Sequence, residues 1–457
     1  MTEKGGEGVK KENNTEQLRL WNLAWPIFIE TALYMLLGFV DVLILSKYDD
    51  LAASAVGTAN QAVSIAAIIF TVVSSASAVL ISQYLGAKKN MAASRVAALS
   101  IVLHLAAGVV ISGVFVFFHR PILRMIGAEG RLLDFAGQYL SIVGGFLFLQ
   151  ALMTAMSVIV RNHGKTKITM FVTLGMNLFN TLLDTVLVLG LFGLPKMGVT
   201  GVAIATSLSR VAGTAVLAAV LFTRVEKPSI FRLLKPLPWR DVRDIFKIGI
   251  PAALETFLYN LSQLVITSIV LNYLTETELI TKTYVQNITM FFYLFAIAIG
   301  QASQIIVGHL VGAEQYGEAH RQCLSSYRRA LLIMAAVCGM GTLFRVPLLE
   351  IFTDDAQCIA LGANVLLINL FLEFGRTTNL VIIACLRGAG DVYFPSVCAI
   401  VSNWAVSVGG AYLFAVVFGW GIYGLWIALA ADESLRGILM IVRWHSCRWR
   451  GKRVVKE

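Results

Sequence analysis

Long apolar stretches recur along this chain from residue 21 to residue 442, separated by short polar breaks. They lie near 21–45, 52–80, 93–118, 133–157, 168–191, 199–222, 245–271, 281–307, 326–344, 358–383, 393–418 and 421–442. Each approaches the roughly 20 residues that carry an α-helix across hydrocarbon. The regular alternation of barrel strands is absent, and the stretches are too long for such strands. The pattern predicts an all-α polytopic membrane protein with twelve transmembrane helices. Its organisation reads as an N-terminal tail over 1–20, six helices over 21–222 and a basic linker over 223–244. Six more helices follow over 245–442, then a basic tail over 443–457.

The chain repeats itself at an offset near 226, about half its 457 residues. Pro26, Glu30, Thr31 and Tyr34 return as Pro251, Glu255, Thr256 and Tyr259. Gly86 and Arg95 return as Gly312 and Arg321, Arg161 and Gly164 as Arg387 and Gly390, and Asn177 as Asn403. Six helices is an even number, so both halves enter the membrane in the same sense and the repeats are parallel. Two six-helix lobes around a central cleft are expected, an arrangement suited to alternating access. Pro26 and Pro251 fall inside the first helix of each lobe, where each removes one backbone bond and allows a bend. They are the hinge candidates.

Composition supports the membrane reading. Apolar residues make up 57% of the chain and charged ones 14%, against about 25% charged in soluble domains. With the N-terminus inside, 27 Lys and Arg fall on the cytoplasmic side and 7, Lys282 among them, in outer loops. That asymmetry places both termini in the cytoplasm. The net charge of +10 therefore sits beside inner helix ends, where it meets anionic membrane lipid, and calls for no nucleic-acid partner. The first twenty residues are polar and charged, unlike a signal peptide. All six cysteines follow residue 320 without a metal-ligand or disulfide spacing, so no structural metal or cofactor is expected.

Ionisable groups within the apolar stretches mark candidate sites, because charge in hydrocarbon is costly. Asp41, Asp184 and Tyr139 share a level roughly 6–11 Å from the outer helix ends, at 1.5 Å per residue. Asn180 lies one turn from Asp184 and can bond the same partner. This set could bind a cation when ionised or a proton when neutral. The plainer alternative is a group of shallow residues wetted from outside. In the second half the counterparts of the two acids are Ile266 and Gly410, so the outer pair is missing. Its acids are Glu255 and Glu373, both expected about 12–15 Å from the inner face. They read either as a second ion or substrate site, or as local structure with Arg376 pairing Glu373 three residues away. Asp432, Glu433 and Arg436 have self-complementary helical spacing. With Arg210 at the repeat position of Glu433, they are expected to form ion pairs closing the inner end.

Residues 18–445 resemble the multidrug and toxic compound extrusion transporters. The resemblance rests on Pro26 with Phe39-Val40-Asp41-Val42 and on Ala53-Ser54-Ala55-Val56-Gly57. It extends through Gln83-Tyr84-Leu85-Gly86-Ala87, Leu386-Arg387-Gly388-Ala389-Gly390-Asp391 and the glycines of the last helix. It implies a secondary transporter rather than an enzyme, exporting organic cations or amphiphilic compounds by alternating access against an inward proton or sodium gradient. It also implies that Asp41 and Asp184, with Asn180 and Tyr139 beside them, take up the coupling ion, H+ or Na+. A multi-pass cell-membrane protein working as a monomer is expected. A lipid-linked precursor flippase is the alternative, disfavoured because the intramembrane arginines are few and have acidic neighbours. A non-transporting scaffold or receptor would need extramembrane domains that the sequence does not offer.

Overall fold

The computed structural model describes residues 18–46, 49–193 and 195–455. Lys4, Lys10, Lys11, Lys47 and Lys456, which contribute to the charge asymmetry, lie outside the described residues, as do the side chains of Phe39 and Val42. Twelve helical passages follow one another. In the first half they are α1 (Leu20–Ser46), α2 (Asp50–Gly86), α3 (Asn90–Met125), α4a and α4b (Gly130–Gly145 and Leu147–Asn162), α5 (Thr166–Leu189) and α6 (Gly198–Arg224). In the second they are α7 (Trp239–Tyr273), α8a and α8b (Glu276–Phe292 and Leu294–Gly312), α9 (Tyr316–Leu343), α10 (Ala356–Gly388), α11 (Tyr393–Val417) and α12 (Gly421–His445). Among the described residues, ten helices are individually long and apolar enough to cross a membrane. The α4 pair, bent by 48°, makes an eleventh. The twelfth, α12, has the length but carries Asp432, Glu433 and Arg436 in its middle.

Local chemistry sets the helix ends. Asp49 Oδ1 accepts the Leu51 amide at 2.8 Å ahead of α2, and Asp355 Oδ1 accepts the Gln357 amide at 2.9 Å ahead of α10. Thr275 and Glu278 form a reciprocal capping box at the start of α8a. That box corrects the assignment of Lys282 to an outer loop. The polar run Thr275–Glu278 starts a helix, and Lys282 is buried within it, its Nζ donating to Thr267 Oγ1 at 3.1 Å. Gly190, at φ +69°, closes α5 in the left-handed region that glycine adopts without penalty. Pro26, Pro121 and Pro251 lie inside α1, α3 and α7. In α3 the backbone leaves helical geometry at Phe118, one turn before Pro121. The second half of α11 widens into π turns over Asn403–Val408 and Tyr412–Val417. There it packs against α12 so closely that a Cβ on Gly424 would lie 2.6 Å from the Phe414 carbonyl carbon.

The chain divides into two compact units, with the division inside α7 between Ile250 and Pro251. The first unit has a core of small and branched side chains from α1 to α6, including Leu45, Val56, Tyr139, Leu140 and Val202. The polar connection after α6 is part of this unit. Ser94 donates to Glu226 and Arg95 pairs with Asp241, so α3 holds the connection at both ends. In the second unit α10 is the central helix, packed by α8b, α9 and α12. Its core includes Ile266, Leu366, Leu372, Leu425 and Trp426.

One device occurs in both units. Four residues past Pro26, the fully buried Glu30 meets Arg161 at 2.6 Å, and Thr169 Oγ1 donates to its second oxygen at 2.7 Å. Four residues past Pro251, Glu255 meets Arg387 at 2.7 Å, and Ser396 Oγ donates to it at 2.7 Å. Each proline-bearing helix is thereby tied to the end of its unit's fourth helix and the start of its fifth. Removing one partner of a buried pair leaves an uncompensated charge. Arg161→Met is expected to cost about 3–5 kcal/mol of stability. Glu30→Gln with Arg161→Met should cost less than R161M alone. Thermal melting of the purified protein checks both, and a double variant weaker than R161M would contradict the tie.

Candidate functional site

In the first unit α1 and α5 bring Asp41 and Asp184 together. Asp41 is 5% exposed and Asp184 fully buried, and their carboxyl groups lie within hydrogen-bonding reach of each other. Asn180, one turn before Asp184, spans both. With its amide oriented to satisfy its neighbours, the nitrogen donates to Asp184 Oδ2 at 3.2 Å and to Asp41 Oδ1 at 3.1 Å. Its oxygen then accepts the Thr206 amide from α6 at 3.3 Å. Two carboxylates so placed repel unless a proton or a cation comes between them. Asp184 Oδ1 and Thr206 Oγ1 are buried there without hydrogen-bond partners. These are hard oxygen donors, the type that suits sodium or a proton rather than a soft metal.

Tyr139 is nearby and almost completely buried, but its hydroxyl donates to Asn60 Oδ1 on α2 at 3.2 Å. It lies within electrostatic reach of Asp41, Asp184 and Arg210. The expected ion pair of Arg210 is a correction: it makes none among the described residues, and its Nη1 is buried without a hydrogen bond. Its electrostatic neighbours are Asp41, Tyr139 and Tyr34, so it faces the first unit's acids. The repeat position of Glu433 places it correctly along α6 but says nothing of its partners.

The second unit surrounds a cavity of about 640 Å³, walled among others by Tyr259, Tyr293, Arg376, Asn379, Trp404 and Glu433. Glu255 and Arg387 reach its wall together. Glu255 and Glu373 do not form a joint site. Glu373 pairs with Arg376 at 2.6 Å, whereas the partner of Glu255 is Arg387, 14 residues or about 21 Å farther along α10. The expectation of equal depth fails because Glu255 meets the last turn of α10 at Arg387, whereas Glu373 sits in the middle of that helix. The cluster on α12 is also deeper than an inner-end closure. Arg436 binds Asp432 at 2.7 Å and Glu433 at 3.0 Å, and Arg376 approaches Glu433 at 3.6 Å. Asn379 and Ser402 donate to Glu433 and Asp432. The network lies in mid-helix because its arginines and acids face α10 rather than the helix end. Arg376 also stacks over the Tyr293 ring, 4.8 Å from its centre.

Sequence reasoning missed the contacts of four residues. Arg161 and Arg387 read as repeat markers and inner-loop charge, although each repeats with its own glutamate. Thr206 and Asn60 carry no signal beyond being polar in an apolar helix.

Buried acids joined by a carboxamide in one unit, and a charged aromatic cavity in the other, all within spanning helices, define a membrane transporter. The profile of the MatE family matches residues 26–186 and 251–413, beginning at Pro26 and again at Pro251. The chain belongs to this family, the multidrug and toxic compound extrusion transporters, which are secondary transporters with two parallel six-helix halves. It is 40% identical to the uncharacterized transporter YisQ of Bacillus subtilis, over 94% of each chain. It is 28% identical to the probable multidrug resistance protein NorM of Thermotoga maritima, over 98% of this chain and 96% of that one. Among solved structures, a MATE protein in the bent conformation matches with a TM-score of 0.88 at 19% identity. That match covers 97% of this chain and 99% of the other.

Arg436 carries most of the second unit's network. Arg436→Met strips Asp432 of its ion partner and Glu433 of one of two, with an expected loss of about 3–5 kcal/mol. Glu373→Gln leaves Arg376 with Glu433 and should cost only about 1–3 kcal/mol. Thermal unfolding of the purified variants compares them, and a larger loss for E373Q would move the hub to α10.

Proposed function

We propose that the protein exports organic cations or amphiphilic compounds in exchange for protons or sodium ions, with Asp41 and Asp184 taking up the coupling ion. The observation that carries this reading is the Asn180 carboxamide bridging two buried carboxylates, with Asp184 Oδ1 left free for a proton or cation. Arg210 beside them sets the competition: an incoming cation must offset its charge, and a change in its distance alters ion affinity. Residues 21–222 and 245–442 act as the two transport lobes, and a single chain suffices.

Substrate character is supported by the second unit. Glu373, Asp432 and Glu433 face Arg376 and Arg436, which leaves one acidic charge in excess beside the cavity. Tyr259, Tyr293 and Trp404 offer ring faces to a cation there. The probable multidrug resistance proteins among the relatives support a drug-like cargo. The lysine and arginine asymmetry supports cytoplasmic termini. Coupling requires that ion and substrate bind the two access states differently.

Dye efflux in inverted vesicles, with a pH or a sodium gradient imposed separately, tests the reading. Asp41→Asn and Asp184→Asn should each reduce gradient-driven efflux by roughly 5–150-fold, the range of ordinary coupling energies. Insertion and melting temperature should be preserved. Full transport by both variants would remove the coupling site while leaving the family assignment intact.

A further inference from the structure

The face of α9 presents an arginine cluster that neither the transport site nor the fold uses. Arg321, Arg328 and Arg329 are exposed and make no ion pair or hydrogen bond with any described residue. With Leu324, Ser325 and Leu332 they wall one open groove. Positions 321, 325, 328 and 332 recur at helical spacing, so the groove follows a single helix face. Leu332, at its far end, is 72% exposed.

Depth makes these arginines unusual. Counting about 20 residues, or 30 Å, back from Leu343 puts the hydrocarbon limit near Leu324. Arg328 and Arg329 therefore fall on the apolar side of that limit and Arg321 just outside it. Unpaired guanidiniums at such a boundary snorkel toward the interface, where the available counter-charges are lipid phosphates. The repeat sharpens the contrast. The first unit has Val102 and Leu103 at the equivalents of Arg328 and Arg329, with Val102 40% exposed as an ordinary lipid-facing residue. The equivalent of Arg321 is Arg95, which is occupied by Asp241. The second unit thus has two charges where its twin has apolar contact, and leaves a third free. Glu318, one turn before Arg321, does not pair with it.

We propose that Arg321, Arg328 and Arg329 bind the phosphodiester headgroup of an anionic phospholipid, with its acyl chains running along α9 past Leu332. Two guanidiniums fit phosphate oxygens in forked geometry from within the membrane boundary, while Arg321 closes the polar side. This site is independent of the coupling acids.

Native mass spectrometry of the purified full chain in detergent, supplied with phosphatidylglycerol or phosphatidylcholine, reads the retained lipid. Wild-type protein should prefer phosphatidylglycerol, and Arg328→Gln with Arg329→Gln should lower that preference about 30-fold, each basic group being worth roughly a factor of five near an anionic surface. Arg321→Gln alone, outside the hydrocarbon, should lower it about fivefold and covers the case in which the double variant folds poorly. R328K/R329K, which keeps the charge but not the fork, should fall between wild type and the double glutamine variant. Equal retention of the two lipids by wild type, or an unchanged preference in the glutamine variants, would overturn the proposal. Release of the lipid by excess inorganic phosphate would overturn it too, making this a free-phosphate site.

Discussion

A charged side chain at the middle of a bilayer costs about 2.5–3.5 kcal/mol even on the more lenient scale, and that cost organises this molecule. The acids inside its helices are met by named partners. Glu30 has Arg161 and Thr169, Glu255 has Arg387 and Ser396, and Glu373, Asp432 and Glu433 share Arg376 and Arg436. Asp41 and Asp184 differ. Their shared partner is a neutral carboxamide, which can satisfy hydrogen bonds but cannot offset charge. A site stabilised in that way remains open to a mobile ion, whereas a site closed by arginine does not.

The same constraint separates the parts that hold from the parts that can respond. The glutamate–arginine ties lie one turn after the prolines, whose missing backbone bond falls in the turn before them. A tie at that point fixes the segment just past the bend against its neighbours. Beyond the tie in α1, Asp41 is the next carboxylate, eleven residues on.

Twelve helices, their parallel repeat and the two acids of the first unit were legible because apolar length, residue spacing and buried charge leave direct marks on sequence. Partners were less legible. Arg161 and Arg387 lie at helix ends, where positive charge is expected for topological reasons, so the bookkeeping that orients the chain conceals their pairing. Lys282 was misplaced because Thr275–Glu278 reads equally as a polar loop and as a capping box. Depth failed for Glu255 because a count from the end of its own apolar run does not tell which turn of α10 it meets, here the last one at Arg387. Which neighbour a buried arginine faces depends on helix rotation, and composition does not encode it. That is why Arg210 was assigned to a pair it does not make.

The repeat supplies its own comparison, since two copies of one design have met different demands. Where both copies keep a feature, as with the proline and its glutamate–arginine tie, the simplest cause is the shared need to hold a bent helix. Where they diverge, one half has changed its chemistry. At the position shared by Arg210 and Glu433 the sign is reversed: an arginine among acids in the first unit, an acid among arginines in the second. The acids beside Arg210 have no counterpart in the second unit, where the uncharged Ile266 and Gly410 stand at the positions of Asp41 and Asp184. A changed central charge with changed neighbours keeps each interior near electrical balance while changing what it can receive. On the proposed reading the first unit would accept a small cation between oxygens, and the second, with its arginines engaged and aromatic walls exposed, a larger one. Division of labour between ion and cargo would then follow from charge balance in two copies of one fold.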